Sequence, residues 1–174
     1  MNNRKVPLMY AQFNVYVDGG NKLLGLAEVT LPAFAAMAET FSGAGIMGEI
    51  EVPVTGHFSA MTLSMSFRTL YGDPLDFVVG KPYRFDLRSA LELEDPASYE
   101  REVAKERWSI IGPVKSINPG KRAAQSAADA TIDVACRRVE HFMDGKQVLE
   151  FDPTNDIYKV NGVDMYAAIR DSVS

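Results

Sequence analysis

The segment Phe142-Met143-Asp144-Gly145-Lys146 constrains this chain more than any other. Asp-Gly is the commonest pair for a two-residue type I′ turn, whose central residues both need positive φ. It stands between an alternating apolar/polar stretch that ends at Met143 and a second one from Lys146 to Phe151, so a β-hairpin is expected here with Asp144 and Gly145 as its turn. A polar stretch, residues 152–156, then leads to Ile157, Tyr158 and Val160, and Asn161-Gly162 makes another turn. Asp164 is placed to cap a short helix over residues 164–173 by accepting a free backbone N–H. Met165, Ala168, Ile169 and Val173 share one face of it. The end of the chain is therefore expected to be a hairpin with a helix folded back on it.

Other stretches carry the same period of two. Phe13, Val15 and Val17 alternate with Gln12, Asn14 and Tyr16, residues 18–21 read as a turn, and residues 24–31 return as the second strand of a first hairpin. The cleanest alternation is residues 60–70, where Met61, Leu63, Met65 and Phe67 oppose Thr62, Ser64, Ser66 and Arg68. That strand has one dry face and one wet, hydroxyl-rich face. Tyr83, Phe85 and Leu87 alternate with Arg84, Asp86 and Arg88 in a strand that reaches about Leu93, and residues 131–143 read as one long strand. The chain has no internal repeat and no linker, and its 174 residues suffice for one core. A single domain, residues 1–174, is expected, mainly β: two packed antiparallel sheets in a small sandwich or barrel, with one or two short helices.

Several stretches read less simply. Residues 1–8 look like an N-terminal arm, polar and basic, with Pro7 against regular structure. Residues 32–41 fit a helix by their Ala and Met content and a strand by alternation, and both stay open. Asp73-Pro74 reads as an N-cap followed by a proline in the first helical position, with Leu75, Val78 and Val79 on one face and Gly80 ending the helix. Asp95-Pro96 could open a helix as far as Arg107, but Val103, Trp108 and Ile110 make a poor helical stripe. A turn and then a strand through Val114 is preferred. Residues 116–127 form a loop with Lys121 and Arg122 at a basic tip, beside Lys115.

Nothing in the residues spells a reaction. Gly43, Gly45 and Gly48 match G-x-G-x-x-G, but that fingerprint needs a helix to follow and aim its N–H groups at a phosphate. Here Glu49-Ile50-Glu51-Val52-Pro53-Val54 alternates like a strand and brings two carboxylates, so the glycines serve an exposed loop over residues 42–48. His57 and His141 stand in no metal spacing, and Cys136 has no cysteine partner. Cys136 and His141, five apart on one strand, point to opposite faces and make no dyad. Residues 152–164 lack the glycine at the sixth position of a calcium loop. No catalytic residue, cofactor or metal is expected. A net charge of −5 argues against gripping nucleic acid through its phosphates. No apolar run approaches the ~20 residues that span a bilayer. The first ten residues lack the apolar stretch of a signal peptide, so a chain that starts life in a cytoplasm, with no membrane anchor, is expected.

Three stretches resemble the major tail tube proteins of contractile-tailed phages. They are Leu31-Pro32 running to Gly43-Ala44-Gly45-Ile46-Met47-Gly48, the Met143-Asp144-Gly145-Lys146 hairpin, and Asp156-Ile157-Tyr158-Lys159-Val160-Asn161-Gly162-Val163-Asp164 before the last helix. Order and spacing are similar over nearly the whole chain, and residues 72–127 match less clearly. The resemblance implies a structural protein of a phage tail or of an R-type bacteriocin particle, with a fold similar to that of the type VI secretion tube protein. It implies six-membered rings, with inner strands from all six copies in one continuous barrel, stacked into a tube inside a sheath. It also implies as partners further copies of the chain, the tail sheath, the tape measure, the baseplate and the tail terminator, with DNA passing through unheld. The particle would assemble in the host cytoplasm.

Stacking requires elements that project along the axis. The candidates are Ser42, Gly43, Gly45 and Gly48 in the glycine loop, Asp73 and Pro74 in the segment 71–81, and Arg4 and Lys5 in the arm. Glu49, Glu51, Ser64 and Ser66 are the candidates for a channel wall. The competing expectation is a soluble β-barrel that binds a small molecule in an apolar pocket of its own.

Overall fold

The computed structural model describes residues 5–43 and 45–173. In chain order the strands are β1 (Val6–Val17), β2 (Asn21–Lys22), β3 (Leu26–Thr30), β4 (Ala36–Phe41), β5 (Ile50–Phe58), β6 (Thr62–Phe67), β7 (Pro82–Glu94), β8 (Arg101–Asn118), β9 (Ala130–Ala135), β10 (Arg138–Met143), β11 (Lys146–Asp152), β12 (Ile157–Val160) and β13 (Val163–Asp164), followed by helix α1 (Ala167–Val173). One layer runs β13-β12-β11-β10-β8-β7-β1-β2, and a second layer is β3-β6-β9, joined to the first because β9 pairs with the far end of β8. The named strands pair antiparallel, and the layers form an open sandwich, not a closed barrel. β4 and β5 form a separate hairpin.

The core lies between the layers, built by the alternation of their strands. Leu63, Met65 and Phe67 of β6 and Ile132 and Val134 of β9 face Val15, Phe85, Leu87, Ile110 and Val139. Such side chains contribute about 1.5–3 kcal/mol each when fully buried. The Asp144-Gly145 turn forms as the type demands, with φ of 47° and 81°, and Asp144 is tied to β8 because its Oδ1 accepts the Lys105 N–H at 2.8 Å.

The strand expected over residues 131–143 is two strands. β9 belongs to the second layer and β10 to the first, and the chain changes layer at Cys136-Arg137, where the Arg137 N–H donates to the Ile111 carbonyl. A core-side residue at each end hides this step from any reading of alternation. The first hairpin is likewise shorter than expected. Only Tyr16↔Lys22 and Val17↔Asn21 pair, then Leu23 plunges into the core and β3 crosses to β6. Residues 6–8, expected in an irregular arm, belong to β1, and the register against β7 shifts between Pro7 and Met9. A proline fits there because β1 is an edge strand over that length and its missing N–H breaks no outer ladder.

The open alternatives resolve to strands. Residues 36–41 are β4, and residues 95–100 are a turn into β8, with Asp95 Oδ1 accepting the Ala97 N–H at 2.8 Å. The helix expected after residue 73 is one 3-10 turn, Asp73–Asp76, capped by Gly72 and not by Asp73. Phe77 stops it: its ring packs edge-on to Tyr83 at 4.9 Å and Phe85 at 5.7 Å, which pulls the chain extended. The final helix starts at Ala167, not at residue 164. Asp164 does cap, accepting the Tyr166 N–H at 3.0 Å, but it caps the turn before the helix.

Candidate functional site

The β4–β5 hairpin stands out from the sandwich as an arm. In register, Phe41 faces Ile50, Thr40 faces Glu51 and Glu39 faces Val52. One face is therefore mostly apolar, with Phe41, Ile50 and Val52, and the other carries Thr40 and Glu51. Among the described residues this face is left open: Phe41 and Ile50 are each 49% exposed, and Met47 in the connecting loop is fully exposed. A run of bare Met, Phe, Ile and Val side chains on one ribbon is what an interaction surface looks like.

The base of the arm is pinned. Phe58 meets Phe34 edge-on at 6.2 Å, Phe151 at 5.0 Å and Tyr158 at 5.2 Å, and Phe34 also meets Phe151 at 5.8 Å. Edge-to-face pairs add about 0.5–1.5 kcal/mol each beyond area burial. The cluster ties β5 to β11 and β12, the strands of the C-terminal hairpin, so the arm leaves the body at a fixed place.

The glycine-loop candidates Ser42, Gly43, Gly45 and Gly48 lie at the tip of this arm, and β5 follows them. Asp73 and Pro74 sit in the 3-10 turn, where Pro74 is buried and so offers no surface to a neighbour, while Tyr71, Leu75, Val78 and Val79 around it are each more than half exposed. Arg4 lies outside the described residues. Lys5 pairs with Glu102 of β8, and that hydrogen bond raises its pKa above the ordinary lysine value. The channel-wall candidates fall in two places. Ser64 and Ser66 lie on the outer face of the second layer, where Asp133 accepts the Ser64 hydroxyl at 2.7 Å and the Ser116 hydroxyl at 2.9 Å. Glu49 and Glu51 belong to the arm.

The outer face of the first layer holds what the sequence reading passed over. Tyr16, Arg88, Arg107 and Phe142 line an open groove of about 570 Å³. The Arg88 guanidinium lies over the Tyr16 ring at 4.6 Å, and that of Arg107 over the Phe142 ring at 4.2 Å. In the next rows the charges are matched: Arg138 bonds Glu140 at 3.0 Å and Glu150 at 2.8 Å, and Lys159 reaches Glu150 at 3.5 Å. On the core-facing side, Glu106 Oε1 accepts the Trp108 indole N–H at 3.0 Å and lies 3.0 Å from His141 Nε2, whose ring stacks on Trp108. This trio lies at the end of the core, where Glu106 also lines the groove. Among the described residues no cluster of three or more His, Cys, Asp or Glu could hold a metal ion.

A sequence model of the family described as phage tail tube protein FII matches residues 9–173. The chain belongs to that family. It is 31% identical over 165 residues to a tail tube protein of Escherichia phage P2, covering 92% of this chain and 91% of the relative. It is 26% identical over 162 residues to a major tail tube protein of Serratia phage KSP20, covering 92% of both. A tail tube protein is a structural component of the virion that assembles with copies of itself and other tail proteins. An arm of bare apolar side chains on a filled sandwich fits that role.

Proposed function

We propose that this tube protein forms six-membered rings that stack into the inner tube of a contractile tail, in a phage or in a bacteriocin particle. The observation that carries this reading is the β4–β5 arm, pinned at its base by Phe58 and bare at its tip. A ribbon of this kind leaves apolar surface for another copy to cover. Open strand edges add support. β1 pairs with β7 on one side, while on the other β2 reaches only Tyr16 and Val17, so residues 6–13 carry unpaired backbone groups. Identical copies completing such edges would close a barrel across the ring and remove the aggregation hazard. A ring uses one head-to-tail interface repeatedly, and its rotation sets the closure.

Ser64, Ser66, Glu49 and Glu51 remain the candidates for the channel wall. Each copy brings a net charge of −5, and a wall bearing part of it repels passing DNA and does not hold it. The sheath, tape measure, baseplate and tail terminator complete the particle, which assembles in the bacterial cytoplasm. Without a genome the same tube serves as a rigid puncturing rod. The small-molecule barrel is disfavoured because the interior is filled by Leu63, Met65, Phe67, Phe85 and Ile132.

The test is negative-stain microscopy of the purified chain as concentration is raised. Rings or tubes of constant diameter are expected. A compact monomer at every concentration overturns the reading.

A further inference from the structure

The groove on the outer face of the first layer has an electrostatic fault. Arg88 and Arg107 are register partners on adjacent strands, β7 and β8. Like charges directly opposite each other on one sheet face destabilise it. Neither guanidinium has a carboxylate partner among the described residues; each is held over an aromatic ring instead, and Arg107 Nε is buried without a hydrogen bond. Lys105, exposed, lines the same groove. In a chain of net charge −5, these three cations outnumber the one carboxylate that lines the groove, Glu106, whose Oε1 is engaged by Trp108 and His141, and they mark a place for an anion. Arginine, with its planar fork of donors, suits a carboxylate.

The chain carries the complement. Glu49 and Glu51 stand two residues apart at the tip end of the arm, exposed, and neither carboxylate has an ion pair or hydrogen bond among the described residues. They lie beside Met47, which is fully bare. The groove offers the matching mixture of cations and aromatic rings, Tyr16 and Phe142.

We propose that the arm of one copy docks in this groove of a second copy, with Glu49 and Glu51 paired to Arg88 and Arg107. The inference rests on the tube reading and names the surface that receives the arm. It takes Glu49 and Glu51 away from the channel wall. It also makes assembly sensitive to salt, because complementary charges set encounter and register.

The test measures the assembled fraction of the full chain by sedimentation, with circular dichroism to confirm folding. Arg107→Glu alone and Glu51→Arg alone are each expected to lower the assembled fraction about ten-fold, and the two together to restore most of it. Lys121→Glu makes the same change in net charge as Arg107→Glu, away from the groove, and is expected to leave assembly near wild type. Cross-linking gives a second readout: a mixture of Glu51→Cys and Arg107→Cys chains should form disulfide-linked heterodimers under oxidising conditions. Undiminished assembly of the single variants, or absence of the heterodimer from assembled material, overturns the docking and leaves the tube reading standing. A wild-type chain that never assembles overturns both.

Discussion

Gly56 and Tyr166 stand so close that a Cβ on Gly56 would come within 2.4 Å of the tyrosine ring. Gly56 also holds φ at +77°, a conformation L side chains rarely adopt. This contact fixes the arm against the segment that leads into the last helix. Gly56→Ala is expected to push the ring away and let the arm swing. The loss of stability should be modest, about 1–2 kcal/mol by denaturant titration, while tube formation by microscopy should fall much further.

Gly112 is the pivot of the sandwich. A Cβ there would lie 2.0 Å from the Ala135 carbonyl oxygen, where the chain leaves β9 for β10. The obstacle is backbone on both sides, so no side-chain rotation relieves it. Gly112→Ala should therefore cost more than the arm glycine, about 3 kcal/mol or more. Loss of the cooperative thermal transition, or inclusion bodies on expression, is the expected readout. A variant that melts like wild type would show that the crossing can open.

How much of this was legible beforehand depends on the kind of information involved. The Asp144-Gly145 turn and the dry face of β6 follow from local chemistry, φ preference and a period of two, and both stand as read. The break at Cys136-Arg137 was not legible, because alternation says which way a side chain points and never which layer it joins. The same blindness extended the first hairpin past Leu23. The glycine loop is exposed and lies between strands, as its sequence suggests, but alternation does not say that its apolar flanks lack a partner. Phe41, Ile50 and Val52 look like core residues in a sequence. Only the absence of anything packed on them shows otherwise. Arg88 and Arg107 sit 19 positions apart, and only the β7–β8 register brings them face to face.

Burial pushes the Cys136 thiol up to about 11, since the thiolate would lose its hydration. At pH 8 the group is then neutral and a poor nucleophile. Its reaction with an aromatic disulfide reagent should be slow in the native chain, and should speed up by orders of magnitude in denaturant. The linkage has a sign. The folded-state value lies above the unfolded one, so the contribution to stability is full below pH 9.0 and is lost as pH rises through about 11.

Asp164 titrates in the opposite sense. Its hydrogen bond from Arg170 at 2.7 Å, with that from the Tyr166 N–H, holds its carboxyl below 3.8. What it contributes is present above the ordinary carboxylate range and lost as pH falls below 3.8. Both partners are partly covered at the surface and still reached by solvent, so the effect on global stability is small and local. Hydrogen exchange should show α1 loosening first on acidification. Asp164→Asn should abolish that pH dependence.

The exposed apolar tip separates folding from assembly. Met47 makes no contact that the sandwich needs, and Ile46 and Ile50 are 38% and 49% exposed. Replacing Met47 with Asp should leave the melting temperature of the isolated subunit unchanged within error. Covering such a side chain in another copy contributes about 1.5–3 kcal/mol, and a tube repeats that contact at every subunit. A charge in its place should therefore stop polymerisation at concentrations where the wild-type chain forms tubes. Gly45→Pro attacks the same tip through its backbone: Gly45 holds φ at +93°, which the pyrrolidine ring forbids. Its subunit should fold and sediment as a monomer. Tubes of normal length from both variants would mean that the arm, however bare, is not what joins one ring to the next.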